Sequence, residues 1–82
     1  MNVIYRKKNY NIYKVGNGYI VHNTNKPFKT GHTHISNYNT AKTILNFSFH
    51  RSIPHHLNKY LLQSIIRIST DKKYIEIIQD LL

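Results

Sequence analysis

Apolar residues alternate over the first third of the chain and then recur every three or four positions. Residues 3–5 and 10–15 are rich in β-branched and aromatic side chains, and Lys7, Lys8 and Asn9 between them suit a turn. Gly16-Asn17-Gly18 tolerates positive φ, so 19–23 reads as the returning strand of a tight hairpin. Ile12-Tyr13 and Tyr19-Ile20-Val21 place apolar groups on both faces of these strands. That fits a sheet with helices on one side and tyrosines left on the other. Residues 24–31 form a polar loop with Pro27 and Gly31, and 32–36 is a further short strand candidate.

Beyond it the period changes. Ala41, Ile44, Leu45, Ser48 and Phe49 fall at i, i+3, i+4, i+7 and i+8, with Asn39 or Thr40 as cap. Pro54 suits the first position of a second helix, whose stripe is Leu57, Tyr60, Leu61, Ser64, Ile65 and Ile68. Ser69-Thr70-Asp71 offers an N-cap, with an acid at the positive end of the dipole, for a last helix carrying Tyr74, Ile75, Ile77, Ile78, Leu81 and Leu82. The pattern predicts an α+β domain over 1–82: a small antiparallel sheet of two or three strands, in a β-hairpin region at 2–36, then three helices packed on one face. Their expected spans are about 40–52, 54–69 and 71–82. Leu62, Ile66, Ile75 and Phe47 exceed what a small core needs, which points to a homodimer through helices 54–69 and 71–82.

Charge sharpens the picture. The 82 residues hold 12 Lys+Arg, 3 Asp+Glu and 6 His, a formal +9 with histidines neutral. Asp71, Glu76 and Asp80 are the acids, so every carboxylate side chain lies after residue 70. A surface without counter-charges attracts anions, and nucleic acid is the commonest large one inside cells. The same shortage nearly excludes carboxylate-pair glycosidases and nucleases that hold magnesium on clustered acids. With no Cys there is no disulfide, thiolate zinc site or cysteine nucleophile. No apolar run approaches a membrane span and no signal-peptide pattern opens the chain. A cytoplasmic protein is expected, without cofactor or metal.

Two basic groups stand out. Arg6, Lys7, Lys8 and Lys14 interleave with Tyr5, Tyr10, Tyr13 and Tyr19, as on sheets that stack single-stranded bases. Arg51, His55, His56, Lys59, Gln63 and Arg67 would form a ridge on the second helix, with Arg67 within reach of Asp71. The expected binding residues are Arg6, Lys7, Lys8, Lys26, Lys29, Arg51, Lys59 and Arg67, acting on nucleic acid or on a nucleic-acid-bound protein complex.

Histidine is the one side chain equipped for catalysis. His32 and His34 share a strand face, and His22 on the neighbouring strand would complete a three-histidine zinc site. The same rings would serve metal-free RNA cleavage as base and acid. Gly31-His32-Thr33-His34-Ile35 resembles, over five residues, the glycine-histidine strand of small toxin ribonucleases with a double-stranded-RNA-binding-like fold. The helix preceding the sheet in that family is missing here, so no residue role is carried over.

Asn, Lys, Ile and Tyr make up 38 of 82 residues, an AT-rich composition. Small size, one domain and little catalytic equipment are in general character similar to phage or mobile-element products, among them anti-CRISPR proteins. The expectation is a basic, non-enzymatic binder that inhibits host defence, in the host cytoplasm if phage-encoded. The alternatives are a histidine-dependent ribonuclease using His32, His34 and His22, and an interaction module docking through its C-terminal helices.

Overall fold

The computed structural model describes residues 2–82; Met1 lies outside the described residues. Four strands, β1 (Asn2–Lys7), β2 (Tyr10–Val15), β3 (Gly18–Asn23) and β4 (His32–Ile35), form one antiparallel sheet in sequence order. A single helical turn, α1 (Phe28–Gly31), joins β3 to β4. Three longer helices follow: α2 (Tyr38–His50), α3 (Lys59–Ile68) and α4 (Lys72–Asp80). The fold is α+β, with one strand more than the sequence pattern allowed. The short candidate at 32–36 pairs with β3 over residues 32–35, burying Thr33 and Ile35, so all four candidate segments join the sheet.

Both hairpin turns place a left-handed residue first. Gly16 has φ 56°, where glycine is unstrained, but Lys8 takes φ 54° with a Cβ present. A bulge between Val3 and Tyr5 shifts the β1 register, so Val3 pairs with Tyr13 while Tyr5 pairs with Ile12.

The core lies between the sheet and α2–α4. Ile12, Val21, Ala41, Ile44, Leu45, Ile65, Ile68 and Ile78 are all fully buried there. Leu62 belongs to this core at 5 % exposure, and Ile66 and Phe47 pack against it, so these residues are not the surplus the sequence implied. The large apolar groups left exposed are others, including Ile53, Ile77, Leu81 and Leu82.

Helix boundaries follow the best caps. Asn37, rather than Asn39 or Thr40, accepts from the Thr40 amide and starts α2 early. Pro54 does not open α3. It is buried in the connection after Arg51, and Asn58 accepts from the Leu61 amide and starts the helix at Lys59. Of Ser69, Thr70 and Asp71 it is Asp71 that caps α4, accepting from the Tyr74 amide at 2.9 Å.

Polar side chains stitch sheet to helices. Ser69 donates to the Ile65 carbonyl, so its oxygen accepts from Ser48, which in turn accepts from the Tyr10 hydroxyl; the last two contacts are each 2.7 Å. Burial raises the Tyr10 pKa, partly offset by its bond to Ser48 and by the Arg51 charge. The buried Tyr74 hydroxyl faces the Phe47 and Ser52 carbonyls, and burial, with Tyr10 nearby, pushes its pKa up to about 12. Buried Asn23 donates to the Ile68 carbonyl at 2.8 Å.

Candidate nucleic-acid interface

Strand pairing sorts the functional candidates onto two faces. With side chains alternating, Tyr5, Lys7, Tyr10, Ile12, Lys14, Tyr19, Val21 and Thr33 point toward the helices. The opposite face carries one row across all four strands, Arg6, Asn11, His22 and His32, each paired with the next. Beside it runs a second row, Val3, Tyr13, Ile20 and His34.

This alternation breaks up the basic and tyrosine-rich N-terminal group. Of its four tyrosines only Tyr13 belongs to the open face. Tyr10 is buried, and Tyr5 and Tyr19 hold the ammonium groups of Lys42 and Lys14 at 4.7 and 4.6 Å from their ring centres. Lys7 donates to Asn46 at 2.9 Å and to His50 at 3.2 Å. Arg6 alone of its cations reaches the open face, donating to Asn11 at 3.0 Å.

The helical ridge breaks up too. His55 and His56 precede α3 in the connection, because that helix starts at Lys59. Arg67 does not pair with Asp71. Its guanidinium donates to the His32 and Lys29 carbonyls at 2.7 and 3.0 Å. Asp71 pairs instead with Arg51 at 3.3 Å, the C-cap of α2 held at φ 53°. Lys26 donates to the Arg67 carbonyl at 2.8 Å, and burial, with the Arg67 charge second, lowers its pKa. Lys26 and Arg67 thus each tie a backbone carbonyl of one segment to another. Arg67 and the Tyr60 hydroxyl also satisfy outward carbonyls of His32 and His34, which protects the β4 edge from pairing with another chain. Among the described residues, the ammonium groups of Lys8, Lys29 and Lys59 have no hydrogen-bonded partner.

What the sequence did not advertise is Phe28. The α1 turn carries its ring onto the open face, stacked on His32 with centres 4.2 Å apart and planes 7° from parallel. The same ring meets His22 edge-on at 5.1 Å and Tyr13 at 6.5 Å. His34 meets His32 edge-on at 5.1 Å. Phe28 looked like part of a polar loop because its partners lie on three different strands.

The histidines are oriented individually. His32 Nδ1 donates to the Phe28 carbonyl, leaving Nε2 as the basic nitrogen. His22 Nε2 donates to the Lys26 carbonyl at 3.0 Å. Its Nδ1 is then a bare acceptor, buried and without a partner, in a residue 8 % exposed. Leaving such a group unsatisfied costs about 1–3 kcal/mol. The three-histidine zinc site does not form: among the described residues no group of three or more His, Cys, Asp or Glu is placed to hold a metal ion. Nor is any helix among them long and apolar enough to cross a membrane.

The open face thus combines rings, imidazoles and Arg6, with Lys8 at one turn and Lys29 on α1. No strand contributes a carboxylate side chain. Compared with known protein families, curated proteins and solved structures, the chain matches none.

Proposed function

We propose that the protein binds single-stranded nucleic acid on the face of its sheet turned away from α2–α4. The supporting observation is the ring cluster of Tyr13, His32 and His34 at the surface, with Phe28 lying over it and Arg6 and Lys29 flanking it on a face without acids. Rings of this kind stack bases of any sequence, while the cations neutralise phosphates. Arg6, Lys8 and Lys29 engaging three phosphates give a log–log salt slope of about −2 for a single strand. Fluorescence anisotropy with a short labelled oligonucleotide at several salt concentrations measures it. Affinity independent of salt rejects the reading.

In a cell the strand can belong to a nucleic-acid-handling effector, which the protein would then inhibit by seizing it. Pull-down with and without nuclease tests that extension: a stoichiometric protein that stays bound after nuclease replaces direct strand binding with a protein contact.

The 5.1 Å approach of His32 and His34 favours a second reading, metal-free RNA cleavage. His32 Nε2 would take the 2′-OH proton as that oxygen bonds to phosphorus, and His34 would protonate the departing 5′ oxygen. The products are a 2′,3′-cyclic phosphate and a 5′-hydroxyl. Cleavage that persists in a folded His34→Ala variant excludes this route.

A further inference from the structure

Resting on the strand-binding reading, we infer that Phe28 holds the place of an unpaired nucleobase, and that His22 is the group that would read the base's pairing edge. Three features on the open face converge on this site. The first is the stack: a six-membered ring lies 7° from parallel on His32 at 4.2 Å, the arrangement a base adopts on an imidazole. The second is the vacant acceptor, His22 Nδ1, in a residue more than nine-tenths buried whose ring makes a T-shaped contact with Phe28 at 5.1 Å. Phe28 has nothing to donate to it. Its other ring nitrogen faces a carbonyl, which fixes the hydrogen on Nε2 and keeps Nδ1 an acceptor in the neutral ring.

The third feature is the ease of moving Phe28. It sits 39 % exposed on a four-residue helix whose N-cap, Pro27, makes no side-chain cap bond. Displacing one ring from one helical turn leaves the main core untouched, since that core lies on the other face.

A base entering in place of Phe28 stacks on His32 and donates an N–H from its Watson–Crick edge to His22 Nδ1. Every natural base carries such a donor on that edge, so the slot is indifferent to sequence. Its requirement is that the base be unpaired, because a paired base has already committed that edge. The ligand class is therefore a single strand or a loop with an extruded base, and a continuous duplex is rejected.

The test uses the whole protein and an eight-nucleotide strand with one central 2-aminopurine, whose emission reports stacking. Wild-type protein is expected to change that emission saturably, and the complementary duplex is expected to bind at least about tenfold more weakly. His22→Phe removes the acceptor and is expected to weaken the single strand about fivefold to tenfold with the salt slope unchanged. Phe28→Ala removes the occupant and is expected to bind the strand as tightly as wild type or tighter. Circular dichroism confirms that each variant is folded; should His22→Phe fail to fold, Phe28→Ala carries the test alone.

Equal binding of strand and duplex overturns the inference, and so does a folded His22→Phe variant that binds as wild type does. Loss of binding in folded Phe28→Ala also overturns it, because the base would then be stacking on Phe28 itself. Binding of strands with no change in 2-aminopurine emission leaves the proposed function standing and removes the base slot. No binding to either nucleic acid removes both.

Discussion

The two faces of the sheet are built from similar residues and end in different states. On the helix side, tyrosines and lysines are consumed internally: Tyr10 feeds the hydroxyl chain to Ser48 and Ser69, Lys7 holds Asn46, and Lys14 lies over Tyr19. On the open side Tyr13, Phe28, His32 and His34 gather at the surface, and His22 keeps an acceptor without a donor. Net charge is thus a poor guide to where a partner would sit. The better guide is which polar and aromatic groups have no internal partner, since only those gain by meeting a ligand.

The contrast is most sharply tested at adjacent residues. Ile12 is fully buried on the helix side, and Tyr13, next to it, lies on the open face. Ile12→Ala should cost about 2–5 kcal/mol, enough to unfold much of so small a protein. Tyr13→Ala should cost clearly less, and its effect should fall on strand binding. Urea denaturation of both variants decides the matter; equal losses of stability would mean that the open face is a second core.

Alkaline titration probes the helix side alone. The Tyr74 pKa is pushed up to about 12 from the ordinary value near 10. The unfolded chain therefore loses this proton first, and the stabilisation from neutral Tyr74 is complete below pH 10 and gone above about pH 12. The expected loss is about 2–3 kcal/mol across that window. Tyr10, also raised, adds in the same direction, while Lys26, lowered by burial, works against it. Denaturation curves of wild type and Tyr74→Phe at pH 9 to 12 measure the difference; parallel behaviour of the two proteins would remove Tyr74 as the cause.

The smallest effect separates two cations joined by one hydrogen bond. Arg67 donates to the Lys29 carbonyl, while the Lys29 ammonium points to no partner among the described residues. Arg67→Met should cost about 1 kcal/mol of stability and leave the salt slope unchanged. Lys29→Gln should leave the melting temperature unchanged and reduce the magnitude of the slope by about 0.7. A reversed pattern would make Arg67 the binding residue and Lys29 the structural one.

Local signals in the chain were enough for the hairpin around Gly16, an N-cap within Ser69-Thr70-Asp71, the periodic core of α2 and the confinement of acids to the end of the chain. Each depends on neighbours within about one turn of backbone, where sterics and capping act directly. Short range also explains the misreadings. Pro54 looked like a helix start because proline fits that position, but the chain needs an extended connection after Arg51, and Asn58 offers the better cap. Tyr5 and Arg6 looked like one basic aromatic group, yet the two-residue alternation sends them to opposite faces, and the bulge before Tyr5 puts Val3 and Tyr5 on opposite faces as well. Only tertiary structure brings Phe28 onto His32 and His22, swaps the partner of Asp71 from Arg67 to Arg51, and strands the His22 acceptor. Those outcomes depend on which strands become neighbours and which helix end meets which; even Phe28 and His32, four residues apart, meet only because the α1 turn folds the ring back onto the sheet.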